Sequence, residues 1–471
     1  MPPKTLESRP PFAKKARVPA SAKSPTRQSR RYGDGAATAG IRHSSPRASV
    51  GGWPGPKSVR LFQEEQKYIA PGIQSIALLS KLAIDRGAGA WLTDVDGNRY
   101  LDFNVGVSVA SLGYSHPTYV AGLRDQLAKV AVGSFTTEIR LKLLKLIAEL
   151  APGKLKRTQL FSGGAEAVEA AIRLARSYTK RTDVIGFGGA FHGKTGGVLP
   201  LSDVDWKVHF PSAPNLYVTP YADVKILKNL IASRCKGRLA AIIAEPIQGT
   251  AGNIVPPPGF IRETRDIAHE NGAVFISDEM ICGFGRTGKM FGCDHDGVEP
   301  DIMTIGKGMG SGFPVSGVVT TDALAQAKPW SLPSASSSSY GGNPLASAAA
   351  HITIQTIVDD QLTQNSARVG EVLLNALKKT AEKYEFVGEV RGKGLLIGMD
   401  LVKNRKTNEK MPKPICEKFF TECLKRGLIM MGYAPRVRIH PPLVLSEAEA
   451  LEGVTRIDAA LSAISKEVPR S

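Results

Sequence analysis

Residues 273–308 read AVFISDEMICGFGRTGKMFGCDHDGVEPDIMTIGKG. Two continuous apolar runs stand in this stretch, AVFIS at 273–277 and DIMTI at 301–305, and each ends in polar groups: Ser277-Asp278-Glu279 after the first, Gly306-Lys307-Gly308 after the second. Short apolar runs bounded by turn residues read as strands buried on both faces. The pattern recurs upstream, at TQLF (158–161), DVIGF (183–187) and LAAIIA (239–244). Between the runs lie segments of helical period, such as Ala165–Ser177, where Val168, Ala171, Ile172 and Ala175 share one face. Strands alternating with helices predict an α/β fold with a mostly parallel central sheet covered by helices. Further out, Ala90–Phe103 reads as a hairpin about Asp96-Gly97-Asn98. A long helix is expected after Pro344. The C-terminal part reads as mixed α/β, with helices over 366–384, 414–426 and 446–464 and strands near 386–392, 395–401 and 428–439.

The chain has 471 residues and a formal net charge of +18. That charge is not spread evenly. Residues 1–60 hold thirteen Lys/Arg and two acids, together with nine prolines and eight serines. Such a segment cannot bury enough apolar surface to offset its ordering entropy, so 1–60 is expected to be a disordered basic tail and order to begin near Leu61. The tail admits three readings: a solvated extension, a targeting peptide or a polyanion-binding arm. The remaining residues carry only +7, so no nucleic-acid partner is expected. No apolar run reaches the ~18 residues of a membrane span, and no secretory signal is expected. The five cysteines are scattered without CxxC spacing, which argues against a disulfide framework or a metal site and for a reducing, cytoplasmic setting, with an organellar transit peptide left open.

In open α/β sheets ligands lie beyond the carboxyl ends of the strands. After TQLF come Ser162, Gly163, Gly164, Ala165 and Glu166, where a helix starts. Glycines let the backbone approach an anion, and the N–H groups of a first helical turn point at it. After AVFIS, Asp278 is an acid at a buried strand end, costly there unless paired. After DIMTI, Lys307 lies between two glycines, and a desolvated lysine is suited to Schiff-base chemistry. A phosphate cradle, a carboxylate for a ring nitrogen and an amine for an aldehyde are together the requirements of pyridoxal 5'-phosphate (PLP).

At this point the sequence resembles the class III, ω-type PLP-dependent aminotransferases of fold type I, over about residues 65–465. The motifs are YLDF (100–103), GYSHP (113–117), GAEAVEAAIRLAR (164–176), FHGKT (191–195), AEPIQG (244–249), SDEMICGFGRTG (277–288), DIMTIGKGMGSGFP (301–314) and SYGGNPLA (339–346). The resemblance implies a large PLP-binding domain over 116–365 and a smaller α/β domain built from 61–115 and 366–471. It implies that Lys307 bonds the cofactor covalently and that Asp278 keeps the pyridine nitrogen protonated. Gly164 and Ala165, with Gly163 beside them, match the phosphate cradle. Phe191 matches the aromatic that stacks on the ring, next to His192. Glu245 matches an acid near the substrate cleft. Ser339 stands where the family usually has Thr, a hydroxyl that reaches the neighbouring subunit's phosphate. That implies a homodimer with active sites at its interface.

The departures concern substrate. The 4-aminobutyrate and ornithine branches have a Glu at position 250 that pairs with a C-terminal arginine. This chain has Thr250 and retains the arginine as Arg438, the expected seat of an α-carboxylate. Ile281 replaces the Gln that contacts the ring hydroxyl, and Ile281-Cys282 is closer to the β-alanine:pyruvate-like branch. Lys194 replaces an arginine for the distal carboxylate and supplies a point charge in place of a bidentate fork. The expected activity is a ping-pong transfer of an amino group from an ω-amine or ω-amino acid to pyruvate or 2-oxoglutarate. The rival on the same fold is a PLP-dependent racemase, aminomutase or decarboxylase.

Overall fold

The strand β4 (Arg157–Phe161) opens the sheet that carries the site. The other strands are β5 (Asp183–Phe187), β6 (Leu216–Thr219), β7 (Leu239–Ala244), β8 (Val274–Asp278), β9 (Ile302–Ile305) and β10 (Ser316–Thr320). Before them come β1 (Ile84–Ala88), β2 (Trp91–Asp94) and β3 (Arg99–Asp102). The structure, a computed structural model, describes residues 52–210 and 213–468. Most of the expected basic tail therefore lies outside the described residues. Its C-terminal end is corrected: a helix starts at Pro56, not near Leu61, and runs to Glu65. Asp96 accepts from the Lys57 and Ser58 amides at 2.8 Å each, holding the helix start against the β2–β3 turn.

The large sheet runs in the order β4-β10-β9-β8-β7-β5-β6. The pairs β6–β5, β5–β7, β7–β8 and β8–β9 are parallel. The strand β10, absent from the expected pattern, lies between β4 and β9 and is antiparallel to both. Every residue of β5, β7, β8, β9 and β10 is buried, which is why these runs are apolar without alternation. Helices such as Gly164–Thr179 and Phe260–Glu270 cover the sheet, burying Val168, Ala171, Ile172, Ala175 and Ile267.

The expected hairpin is β2–β3, with Leu92 opposite Tyr100. The long helix after Pro344 ends at Asp359, and the next spans Leu362–Ala381. The C-terminal strands are β11 (Val387–Lys393), β12 (Leu396–Asn404), β13 (Glu409–Lys410), β14 (Leu428–Ile429) and β15 (Arg436–Ile439). The strand β14 pairs in parallel with β3, so segments from both ends of the described chain share one sheet. No helix among the described residues is long and apolar enough to cross a membrane.

Candidate active site

The expected site residues converge because they follow the carboxyl ends of neighbouring strands. Asp278 closes β8 and lies opposite Thr304 of β9, and Lys307 comes three residues after Thr304. Gly163 follows β4, Phe191 and His192 follow β5, and Glu245 follows β7 directly. A cleft of ≈ 360 Å³ opens among them. Its walls include Gly164, Ala165, Phe191, His192, Met280 and Lys307.

Asp278 is the most heavily bonded of these groups. Its Oδ1 accepts from the Met280 amide (3.1 Å) and the Thr304 hydroxyl (2.9 Å), and its Oδ2 lies 2.6 Å from His192 Nδ1. Burial pushes this carboxyl up, but the His192 hydrogen bond and charge, Lys307 and Thr304 outweigh it and hold it below its usual range. Burial pushes His192 down, and Asp278 and Glu245 lift it above its usual value. His192 Nε2 has no polar partner among the described residues. The histidine is thereby committed to Asp278.

Lys307 is held in the left-handed region (φ 43°), a conformation sustained only by the surrounding packing. The backbone around it must be slim. A Cβ on Gly306 would come 2.6 Å from Met280 Sδ, and one on Gly164 3.1 Å from the same atom. The helix from Gly164 starts with its first-turn N–H groups lacking intrahelical acceptors. Glu166 reaches back to take the Gly163 amide at 2.7 Å and the Ser162 amide at 3.3 Å, which leaves the Gly164 and Ala165 amides among those of the first turn that can face an anion. Glu245, buried and raised chiefly by that burial, accepts from the Phe191 amide (2.8 Å) and the Gly249 amide (3.0 Å), fixing where Phe191 stands.

Gly163, Asp278 and Glu245 adjoin the wall residues without lining the cleft, and four further expected residues are also not on its wall. Ile281 does not line the cleft; it is buried with Ile247, Cys282 and Leu396 and packs against Gly249. Ser339 lies on an exposed segment outside the cleft. Lys194 is exposed, its Nζ 6.0 Å from the Phe191 ring centroid. Arg438, on β15, is partly buried, with Tyr433 and Glu245 acting on it. Sequence reasoning missed Thr304 and the left-handed turn Val105–Ser108, four successive positive-φ residues leading to Val109 at the cleft wall. A threonine inside the apolar run DIMTI was the available signal for the first.

The donor set suits PLP: two helix-start amides for a phosphate, a carboxylate held ionised for a ring nitrogen, a flanking aromatic and a lysine on the same wall. Residues 75–461 match the family described as aminotransferase class-III.

The chain belongs to the class III aminotransferase family.

This aminotransferase is 34% identical over 436 residues to the 4-aminobutyrate aminotransferase of Mycobacterium leprae, covering 86% of this chain and 96% of that one. It is 32% identical over 441 residues to the alanine/serine racemase of Pyrococcus horikoshii, covering 87% and 91%. Its fold matches a transaminase from the marine bacterium Virgibacillus with a TM-score of 0.82 at 28% identity, over 87% of this chain and 100% of that one. The enzyme is a PLP-dependent class III aminotransferase of fold type I, using an amino donor and a 2-oxo acid acceptor.

Proposed function

We propose that this aminotransferase moves an amino group from an ω-amine or ω-amino acid to pyruvate or 2-oxoglutarate, with Lys307 and Asp278 as its catalytic residues. The observation that carries the reading is the placement of Asp278, ionised and bound by His192 and Thr304, one strand away from the Lys307 turn. In this reading the Gly164 and Ala165 amides, with Gly163 at the bend, hold the phosphate of PLP. Phe191 would flank the ring, His192 orients Asp278, Asp278 would hold the proton on the ring nitrogen, and Lys307 would be the amine that bonds the aldehyde. PLP supplies an electron sink for the pair left when a proton leaves the amine-bearing carbon. Lys307 Nζ is the base that moves that proton, Glu245 fixes Phe191, and Arg438 takes the α-carboxylate of the acceptor. Lys194, at the rim, is the candidate for a distal carboxylate.

We read residues 61–115 and 366–471 as a smaller domain against a large domain at 116–365. We read the enzyme as a cytoplasmic homodimer, with exposed Ser339 reaching a neighbour's site; five buried free cysteines suit a reducing setting. The test is to incubate the purified protein, PLP and a series of ω-amines with pyruvate or 2-oxoglutarate and to measure alanine or glutamate by mass spectrometry. Formation of neither, with any donor, overturns the reading. The racemase relative supports a second reading, inversion of an amino acid on the same residues. Chiral chromatography of L-alanine or L-serine incubated without any 2-oxo acid separates the two.

A further inference from the structure

The loop after β7 runs from Glu245 into a tight turn at 249–252, where the Gly252 and Asn253 amides both donate to the Gly249 carbonyl, at 3.1 and 3.2 Å. One side of this loop holds the segment that carries Phe191. Glu245 takes the Phe191 amide at 2.8 Å and the Gly249 amide at 3.0 Å, and Gln248 Nε2 donates to the Gly188 carbonyl at 2.9 Å. The two loops touch: a Cβ on Gly189 would come 2.7 Å from Gln248 Oε1 and 3.1 Å from the Ala251 Cβ. The other side is gripped by β11, β12 and β15. Arg391 of β11 donates to the Gly252 carbonyl from Nε (3.2 Å) and Nη2 (2.8 Å). Its Nη2 and Nη1 also bond the two carboxylate oxygens of Asp400 on β12, at 2.7 and 2.8 Å. Arg436 Nη1 of β15 donates to the Ala251 carbonyl at 2.7 Å. Gly398 of β12 leaves room for the turn, since a Cβ there would come 2.1 Å from the Gly252 oxygen.

We propose that Arg391 is a positioning residue for the cofactor's ring: it pins the 249–252 turn, and through Glu245 and Gln248 that turn sets where Phe191 stands. The planar fork of arginine bonds a carboxylate and a carbonyl at once, which the point charge of lysine does less well. Asp400 anchors the fork in the sheet, and the free edge reaches the turn. Arg391 is buried, so its removal leaves the Gly252 carbonyl short of donors and frees the turn to shift. Glu245 transmits that shift, because one of its oxygens serves Gly249 and the other Phe191. An aromatic contact depends on the offset between the rings, so a displaced Phe191 holds the cofactor less well. The inference rests on the reading of Phe191 as the residue that flanks PLP.

The experiment is a double-mutant cycle read as PLP affinity, by fluorescence titration of the full-length enzyme freed of cofactor. Arg391→Met and Phe191→Leu are each expected to weaken PLP about tenfold, and the double variant to bind within about twofold of Phe191→Leu alone, because a residue that acts through Phe191 has nothing left to act on. Arg391→Lys, which keeps the charge beside Asp400, is expected to bind PLP more tightly than Arg391→Met; if Arg391→Met does not fold, the same cycle is run on Arg391→Lys. Losses that multiply to about a hundredfold in the double variant show that Arg391 acts by another route and overturn the inference. Parent-like affinity in the Arg391 variant, with Phe191→Leu weakened, overturns the role of Arg391 and leaves Phe191 at the ring. Parent-like affinity in Phe191→Leu overturns the reading of Phe191 itself, and the inference with it.

Discussion

His192 Nδ1 stands 2.6 Å from Asp278 Oδ2, and both side chains are wholly excluded from solvent. A histidine lifted above its ordinary value next to a carboxylate held below its own forms a pair in which each sustains the other's charge. The sign of the resulting pH dependence follows. His192 is raised, so its contribution to stability is complete below about pH 6.5 and is lost as pH rises through its folded value. His192→Gln is expected to flatten that loss. Thermal unfolding of both proteins between pH 6 and 9, without added cofactor, checks it; parallel curves would mean the pair carries no charge.

Asp278→Asn keeps the shape but removes the charge. It is expected to lower kcat by several orders of magnitude while the protein still folds. A variant within about tenfold of the parent, or ~1.4 kcal/mol, would make Asp278 a structural acid only.

Lys307→Ala is expected to abolish turnover and the covalent link to PLP. After borohydride reduction, intact-mass measurement of the parent loaded with PLP gains the cofactor's mass, and the variant does not. A labelled variant would place the link on another lysine.

Glu279 is buried and accepts from the Gly292 amide (2.7 Å), the Cys293 amide (2.9 Å) and the Ser277 hydroxyl (3.0 Å). Burial pushes its carboxyl up to about 7 despite those bonds. Between about pH 4.5 and 7 the folded protein thus holds a proton that the unfolded chain releases, and stability falls as pH rises. Glu279→Gln is expected to remove that slope. Glu279→Ala, which orphans two buried amides, is expected to cost about 2–4 kcal/mol. Denaturant titrations at pH 5 and 7.5 measure both effects.

Arg286 is buried with no carboxylate partner among the described residues and binds the carbonyls of Leu395 (3.2 Å) and Pro441, tying the 283–288 loop to the C-terminal segment. Burial pushes it down to about 9. Arg286→Leu is expected to destabilise by about 2–4 kcal/mol through the orphaned carbonyls, read as a lowered Tm. An unchanged Tm would show that the loop is held by its backbone bonds alone.

Asp278 and Lys307 were legible because a charged residue at the end of a fully apolar strand has no solvated face to explain it. Gly164 and Ala165 were legible for a related reason: glycine before a helix start permits close backbone approach. Where Ile281 would pack was not legible: it comes three residues after Asp278, and its side chain packs on Gly249 because that run leaves the strand end for the core. The dependence of Phe191 on Glu245 was not legible either, since it joins two loops 54 residues apart.

The sequence by itself determined the elements and the reactive groups: the apolar period of each strand, the polar residue that ends it and the glycines around it. These are local properties, set by backbone geometry and burial within a few residues. Tertiary structure decided the rest. The insertion of β10 antiparallel between β4 and β9 places Ser316 Oγ 2.8 Å from the Gly163 carbonyl, to which it donates. The same holds for the burial that pairs His192 with Asp278. Strand order and cross-element contacts arise from long-range packing and hydrogen bonding, which no local pattern encodes.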